Sequence, residues 1–149
     1  MSYCNLHTHS DFSVFDGFAK LSELVARAKE LEYPALALTD HGTTTGLVEF
    51  YKECKAQDIK PILGYEAYLV SNVNVKADEM YHLLILAKNL EGYRNLLKLA
   101  TIGTENFYKK PRIDMNALLA NKEGLIVSSA CMGGILRHPE YQKYIVELS

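Results

Sequence analysis

The sequence predicts an α/β fold, a parallel sheet whose strands are joined by crossover helices. Short apolar runs alternate with amphipathic stretches four or five times along the chain, the order expected of parallel strands linked by helices. Runs such as Ala35-Leu36-Ala37-Leu38 lack polar alternation, as strands covered on both faces do. Residues able to bind metals fall where these strands end, the edge at which α/β folds collect their chemistry.

In order, a short apolar strand over 3–6 runs into His7-Thr8-His9-Ser10. Residues i and i+2 of a strand share a face, so His7 and His9 can turn both imidazoles to one side. A polar turn over 10–17 carries Asp11 and Asp16. Over 21–32, Leu21, Leu24, Val25, Ala28 and Leu31 recur at helical spacing, and Pro34 stops the helix. The strand over 35–39 ends in Asp40-His41-Gly42. Thr43 or Thr44 can cap a second helix, with Leu47, Phe50, Tyr51 and Cys54 as its buried stripe. Pro61 opens a strand over 62–70, interrupted at Gly64 and carrying Glu66 among apolar neighbours. Residues 71–80 read as a loop, 82–87 as a strand beginning with His82, and 91–106 as a helix burying Tyr93, Leu96, Leu97 and Ala100. A basic loop, Lys109-Lys110-Pro111-Arg112, leads to Asp114 as cap of a brief helix through 119. The strand over 125–128 precedes Cys131 and the Gly133-Gly134 pair, and the tail from Pro139 reads as helical. His7, His9, His41 and Cys131 thus sit at carboxyl ends of strands, whereas Glu66 and His82 fit that rule less well.

The 149 residues make one domain, long enough to bury a substantial core. Its net charge of −2 announces no basic field for nucleic acid, although bound divalent ions would reverse the sign locally. Cys4, Cys54 and Cys131 are odd in number and far apart, which argues against a disulfide framework and for a reducing compartment. No apolar run is long enough to span a membrane, and the first residues do not resemble a signal peptide, so the expected location is cytoplasmic.

Four histidines, a thiol and carboxylates at separate strand ends form the donor set of a multi-metal hydrolytic site. Such ions make hydroxide available near neutral pH and neutralise charge growing on a phosphoryl group. Glu66 is the candidate bridging carboxylate, the alternative being a solvent-facing Glu. Cys131 is either a ligand or a small buried hydrophobe. Asp16 is either a ligand or a turn residue before Gly17. Asp40 faces away from His41 on a strand and is expected to support it from behind. Cys4 and Cys54 read as core, and His138 receives no role. Lys109, Lys110 and Arg112 could hold a phosphate backbone, or form only a solvated loop.

The block Leu6-His7-Thr8-His9-Ser10-Asp11-Phe12-Ser13 with Asp16-Gly17 resembles the opening of the polymerase and histidinol phosphatase (PHP) domain. Pro34-Ala-Leu-Ala-Leu-Thr-Asp-His-Gly42, Ile59-Lys-Pro-Ile-Leu-Gly-Tyr-Glu66, Tyr81-His-Leu-Leu-Ile-Leu-Ala-Lys-Asn89, Lys110-Pro-Arg-Ile-Asp114 and Ser129-Ala-Cys131 are similar to the branch found at the amino terminus of bacterial DNA polymerase III alpha subunits. The resemblance implies a distorted (β/α)7 barrel, of which roughly five strands are expected here. It implies two to three divalent ions, zinc or manganese first and iron next, on His7, His9, Asp16, His41, Glu66, His82 and Cys131. Catalysis would run through the ions held by His7, His9, His41 and Glu66.

The family pattern continues with an Asp-x-His pair downstream of the cysteine, and this sequence stops before it. Residues 1–149 are therefore expected to be one PHP domain truncated on its carboxyl side. The implied activity is phosphoester hydrolysis, extending to 3′–5′ exonuclease action on DNA, within a replicase whose remaining chain and subunits would be the partners. The rival readings are a free-standing phosphomonoesterase of the histidinol phosphatase kind and a catalytically silent structural module.

Overall fold

The computed structural model describes residues 3–14, 16–76, 78–140 and 142–143. Among the described residues, four helices and five strands follow one another as α1 (Leu21–Glu30), β1 (Ala35–Leu38), α2 (Leu47–Ala56), β2 (Lys60–Val70), β3 (Tyr81–Ala87), α3 (Leu90–Glu105), β4 (Arg112–Asp114), α4 (Met115–Ala120) and β5 (Leu125–Ser128). A single 3₁₀ turn, Ile135–Arg137, comes after them. Most of the tail expected to be helical lies outside the described residues.

The sheet is mixed, not parallel. Its order is β1-β2-β3-β5, with β4 beside β2. β1 and β4 pair parallel to β2, whereas β3 runs antiparallel to both β2 and β5. Among the described residues β3 alone is reversed, because the connection over 71–80 is too short for a crossover to a parallel strand and turns the chain back. The number five agrees with expectation, but the membership differs. Residues 3–6 contribute only the isolated Asn5–Leu36 bridge, and the three residues of β4 replace them.

β2 organises the sheet because it is long enough to be shared. One edge pairs with β3 from Gly64 to Leu69. The other takes β1 along Lys60–Leu63, the His41–Glu66 bridge, and β4 along Tyr68–Val70. Gly64 does not interrupt it. A Cβ there would meet the Ile85 carbonyl oxygen at 2.5 Å, so glycine is what allows β3 to pair closely.

Alternation along these strands separates two faces. Tyr65, Ala67, Leu69, Leu83 and Ile85 join the main core with α1, α2 and α3. On the other face Leu84 and Leu86 meet Ala37, with Ile62 and Ala130 packed against them, and make an apolar floor. α1 starts with the Glu23 carboxylate accepting from the Lys20 backbone N–H at 3.2 Å. α2 is capped by Gly46 without a side-chain bond, because Thr43 Oγ1 is engaged with Thr45. α3 starts at Asn89, whose side chain accepts from Gly92 N–H at 2.9 Å. Its buried face is Gly92, Leu96, Leu99 and Gly103, rotated from the expected stripe, and Leu97 points outward. Burial of Leu96 and Leu99 stabilises the packing by roughly 1.5–3 kcal/mol each. Asp114 caps α4 as expected, accepting from Ala117 N–H at 3.0 Å. Among the described residues no helix is long and apolar enough to cross a membrane.

Candidate metal centre

The reversal of β3 explains a placement that strand-end reasoning leaves awkward. β2 leaves and β3 enters the sheet at the same end, so His82 at the start of β3 lies opposite Tyr68 near the end of β2. Glu66 stands level with His41, one turn of chain past the end of β1. His7 and His9 arrive from the segment alongside β1, which is held there by Ala37 N–H to the Asn5 carbonyl and Thr39 N–H to the Thr8 carbonyl. Chain ends from three directions therefore converge on one carboxylate.

Glu66 is 1% exposed and meets four imidazoles. Its Oε2 lies 2.5 Å from His7 Nε2, 3.1 Å from His9 Nε2 and 3.7 Å from His41 Nδ1, and its Oε1 lies 2.7 Å from His82 Nδ1. Burial alone would raise its pKa, but the bonds to His82, His9 and His7 outweigh burial and hold the carboxyl well below the usual range. His9 is pushed up, chiefly by its bond to Glu66, and His41 is pushed down by burial. His41 Nε2 also lies 2.8 Å from Asp16 Oδ2. Ser13 fixes that arm, donating to Asp16 Oδ1 at 2.6 Å and accepting from His41 N–H at 3.2 Å. The tight turn needs Gly17, where a Cβ would collide with the Ser10 carbonyl.

Among the described residues three triplets have donor atoms within 4.8 Å of one another: His7, His9 and Glu66; His9, Asp16 and His41; His41, Glu66 and His82. They overlap in His9, His41 and Glu66, which suits closely spaced ions sharing ligands. Among the described residues the buried Nδ1 of His9 has no hydrogen-bond partner, and that of His41 has only the Glu66 carboxylate at 3.7 Å, beyond hydrogen-bond reach. An imidazole nitrogen buried and unpaired is costly unless something else takes its lone pair, and neutral imidazole with carboxylate is a donor set for first-row divalent metals. The residues fit such ions. Cys131 is exposed and sits 3.3 Å from His82 Nδ1, at the margin and in none of the three triplets.

Two expected roles change. Asp40 is buried, and its carboxylate accepts from the N–H and hydroxyl of Ser10 at 2.6 and 2.9 Å. It pins the loop after His9 and makes no bond to His41. Burial raises its pKa, against those two bonds. Arg112 is 3% exposed and donates to the carbonyls of Asn106, Val75 and Val73. It anchors backbone and cannot serve as a surface cation. Lys109 and Lys110 do line a cleft with His41 and Asp16. Cys54 is core, Cys4 only half-buried, and His138 is buried against Tyr81.

Sequence reasoning missed Tyr68, whose ring stacks on His41 with centroids 5.5 Å apart. Burial pushes its phenol up to about 12, so it stays protonated beside the site. The signal was available: Tyr68 is two residues after Glu66 on a strand and shares its face.

A strand-end cluster of imidazoles around a buried carboxylate, on an α/β sheet, defines a class of metal-binding domain. The chain belongs to the PHP domain family, whose sequence profile matches residues 5–147. It is 48% identical over 141 residues to the DNA polymerase III subunit alpha of Borreliella burgdorferi, covering 90% of this chain and 12% of that protein. The Thermus aquaticus protein of the same name is 44% identical over 143 residues, covering 89% and 12%. The Aquifex aeolicus one is 41% identical over 158 residues, covering 98% and 13%. The chain thus spans about one-eighth of the length of these relatives. An amidohydrolase from Chromobacterium violaceum matches 97% of this chain and 49% of its own at 24% identity, with a TM-score of 0.48.

Proposed function

We propose that this chain is a metal-dependent phosphoesterase domain, part of a replicative DNA polymerase III alpha subunit, acting on a phosphodiester at a DNA 3′ end. The observation that carries the chemistry is the set of four imidazoles around the buried Glu66 carboxylate. The identity of 41–48% with DNA polymerase III alpha subunits supports the parent protein. DNA, the remainder of the polymerase chain and the replicase subunits are the partners this reading implies, in the cytoplasm. The sheet would be the larger part of a distorted (β/α)7 barrel. Among the described residues β5 pairs on one side only, which leaves an edge for further strands.

His7, His9, Asp16, His41, Glu66 and His82 would hold two to three divalent ions, zinc or manganese, with Cys131 at the margin. When bound, such ions supply a nucleophile near neutral pH and neutralise charge on the phosphoryl and leaving oxygens. The chain's own residues do the rest. Glu66 holds four imidazoles in register, Asp16 and Ser13 orient His41, and Asp40 fixes the His9 loop through Ser10. The Leu84–Leu86 floor excludes water from beneath the donors.

The test is metal content per chain by elemental mass spectrometry, followed by hydrolysis of bis(p-nitrophenyl) phosphate, a simple phosphomonoester and a single-stranded oligonucleotide. Two or more ions per chain with phosphodiester cleavage is the expected result. Cleavage confined to the monoester would favour the histidinol phosphatase kind of activity. Tightly bound ions with no cleavage of any substrate would make the domain a structural module.

A further inference from the structure

We infer that the cleft beside the metal centre is a subsite for one unpaired nucleotide, with the Phe107 ring as the surface for its base and the Lys109 ammonium as the partner of its phosphate. The inference rests on the phosphoesterase reading for its chemistry and adds how the substrate is held.

The cleft encloses about 460 Å³, within the size of small-ligand sites. Its lining includes His41 and Asp16 of the metal centre together with Phe107, Lys109 and Lys110. An occupant of the cleft therefore touches metal-ligating residues and lysines together. Phe107 is 62% exposed, and Phe12 and Val14 also line the cleft. A phosphate alone gains nothing from these apolar surfaces. A nucleotide uses both, since bases stack on aromatic rings and phosphates pair with ammonium groups. Asp11 and Asp16 share the cleft, and their charge turns a phosphate toward the lysines.

The lysine is presented by a rigid turn. Tyr108 N–H donates to the Lys110 carbonyl at 3.0 Å, which leaves Lys109 at the tip with φ +61°. Only a well-supported turn holds a non-glycine residue in that left-handed region. The support is Arg112, which grips the Asn106, Val73 and Val75 carbonyls while its guanidinium lies 5.3 Å from the Tyr108 ring centroid. Arg112, which does not reach solvent, thus serves the cleft by fixing the turn that carries Lys109. An unpaired nucleotide is required because a base inside a duplex has both faces covered by its neighbours.

The test is fluorescence anisotropy with a short fluorescein-labelled oligothymidylate carrying phosphorothioate linkages, in manganese, on the whole chain. Phe107→Ala should weaken binding about tenfold or more, and Phe107→Trp should retain it. Lys109→Gln should reduce the slope of log affinity against log salt by about 0.7, the value for one phosphate contact on a single strand. Tyr51→Ala and Lys52→Gln, exposed on α2 away from the cleft, should change neither. A duplex of the same length should bind more weakly. No binding by the wild type, wild-type binding by both cleft variants, or equal affinity for duplex would overturn the inference. Metal content and bis(p-nitrophenyl) phosphate cleavage, measured on the same samples, separate the two readings. A metal-loaded, ester-cleaving protein without Phe107 dependence leaves the phosphoesterase reading standing and sinks the subsite. Phe107-dependent binding by a chain that holds no metal does the reverse.

Discussion

Glu66 concentrates the chemistry of the site, and its ionisation links the site to stability. Its folded pKa lies below the ordinary 4.5, so the stability it contributes is complete above that value and is lost as pH falls through the folded pKa. In chelator, Glu66→Gln should therefore lower the melting temperature at pH 6, and the gap from wild type should begin to narrow as pH falls below 4.5. With metal present, the same variant should lose bound ions on elemental analysis, since a neutral amide is a poor ligand for divalent metals. Asp40 acts at one remove. Asp40→Ala strands the Ser10 N–H and hydroxyl in a buried position, and urea titration should show a loss of about 2–3 kcal/mol. At this scale the residue types were legible from the sequence, and the structure brings His7, His9, Asp16, His41, Glu66 and His82 together as donors. The roles that changed are those of groups whose partners come from distant chain. Asp40 faces Ser10, thirty positions earlier, and Arg112 faces carbonyls of the 71–80 loop. Neither meeting leaves a periodic trace in the sequence.

The elements were readable where local physics decides them. Pro34 ends α1, Asp114 caps α4, and the uniformly apolar runs became β1 and β3. Strand direction was not read from them, because it depends on the length of the connection between strands, and the 71–80 connection is too short for a crossover. The rotated face of α3 has a similar cause. Gly92 packs inward because a Cβ there would collide with the Gly124 carbonyl, and a hydrophobicity count sees neither it nor the buried Gly103. Arg112 belongs to this scale, since it ties the 71–80 loop to the chain after α3. Arg112→Met should cost about 2–4 kcal/mol in denaturant titration through three lost carbonyl bonds. The loss should be the same at low and high salt, because a buried clamp on neutral carbonyls is little screened.

For the whole molecule, the donors come from segments spread between residues 7 and 82, and no disulfide ties those segments together, since Cys4, Cys54 and Cys131 are free. A bound ion would act as a crosslink between the amino-terminal segment, β1, β2 and β3. Chelation should therefore lower the melting temperature of the metal-loaded chain, and differential scanning calorimetry with and without chelator would measure it. An unchanged melting temperature would mean that the donors carry no ion in solution. The α/β class and the grouping of the histidines were visible in one sequence because His7, His9 and His41 follow short apolar runs. The mixed sheet was not, since it is a property of how the strands meet.

The single reversed strand has a kinetic consequence. Glu66 and His82 sit on the two arms of one antiparallel ladder, so an ion on both would have to leave before that ladder could open. Amide hydrogens along β2 and β3 should then exchange with deuterium more slowly in the loaded protein, while those of α4, which carries no donor, keep their rates. The hairpin would become the slowest-opening unit of the domain, its opening gated by departure of the ion.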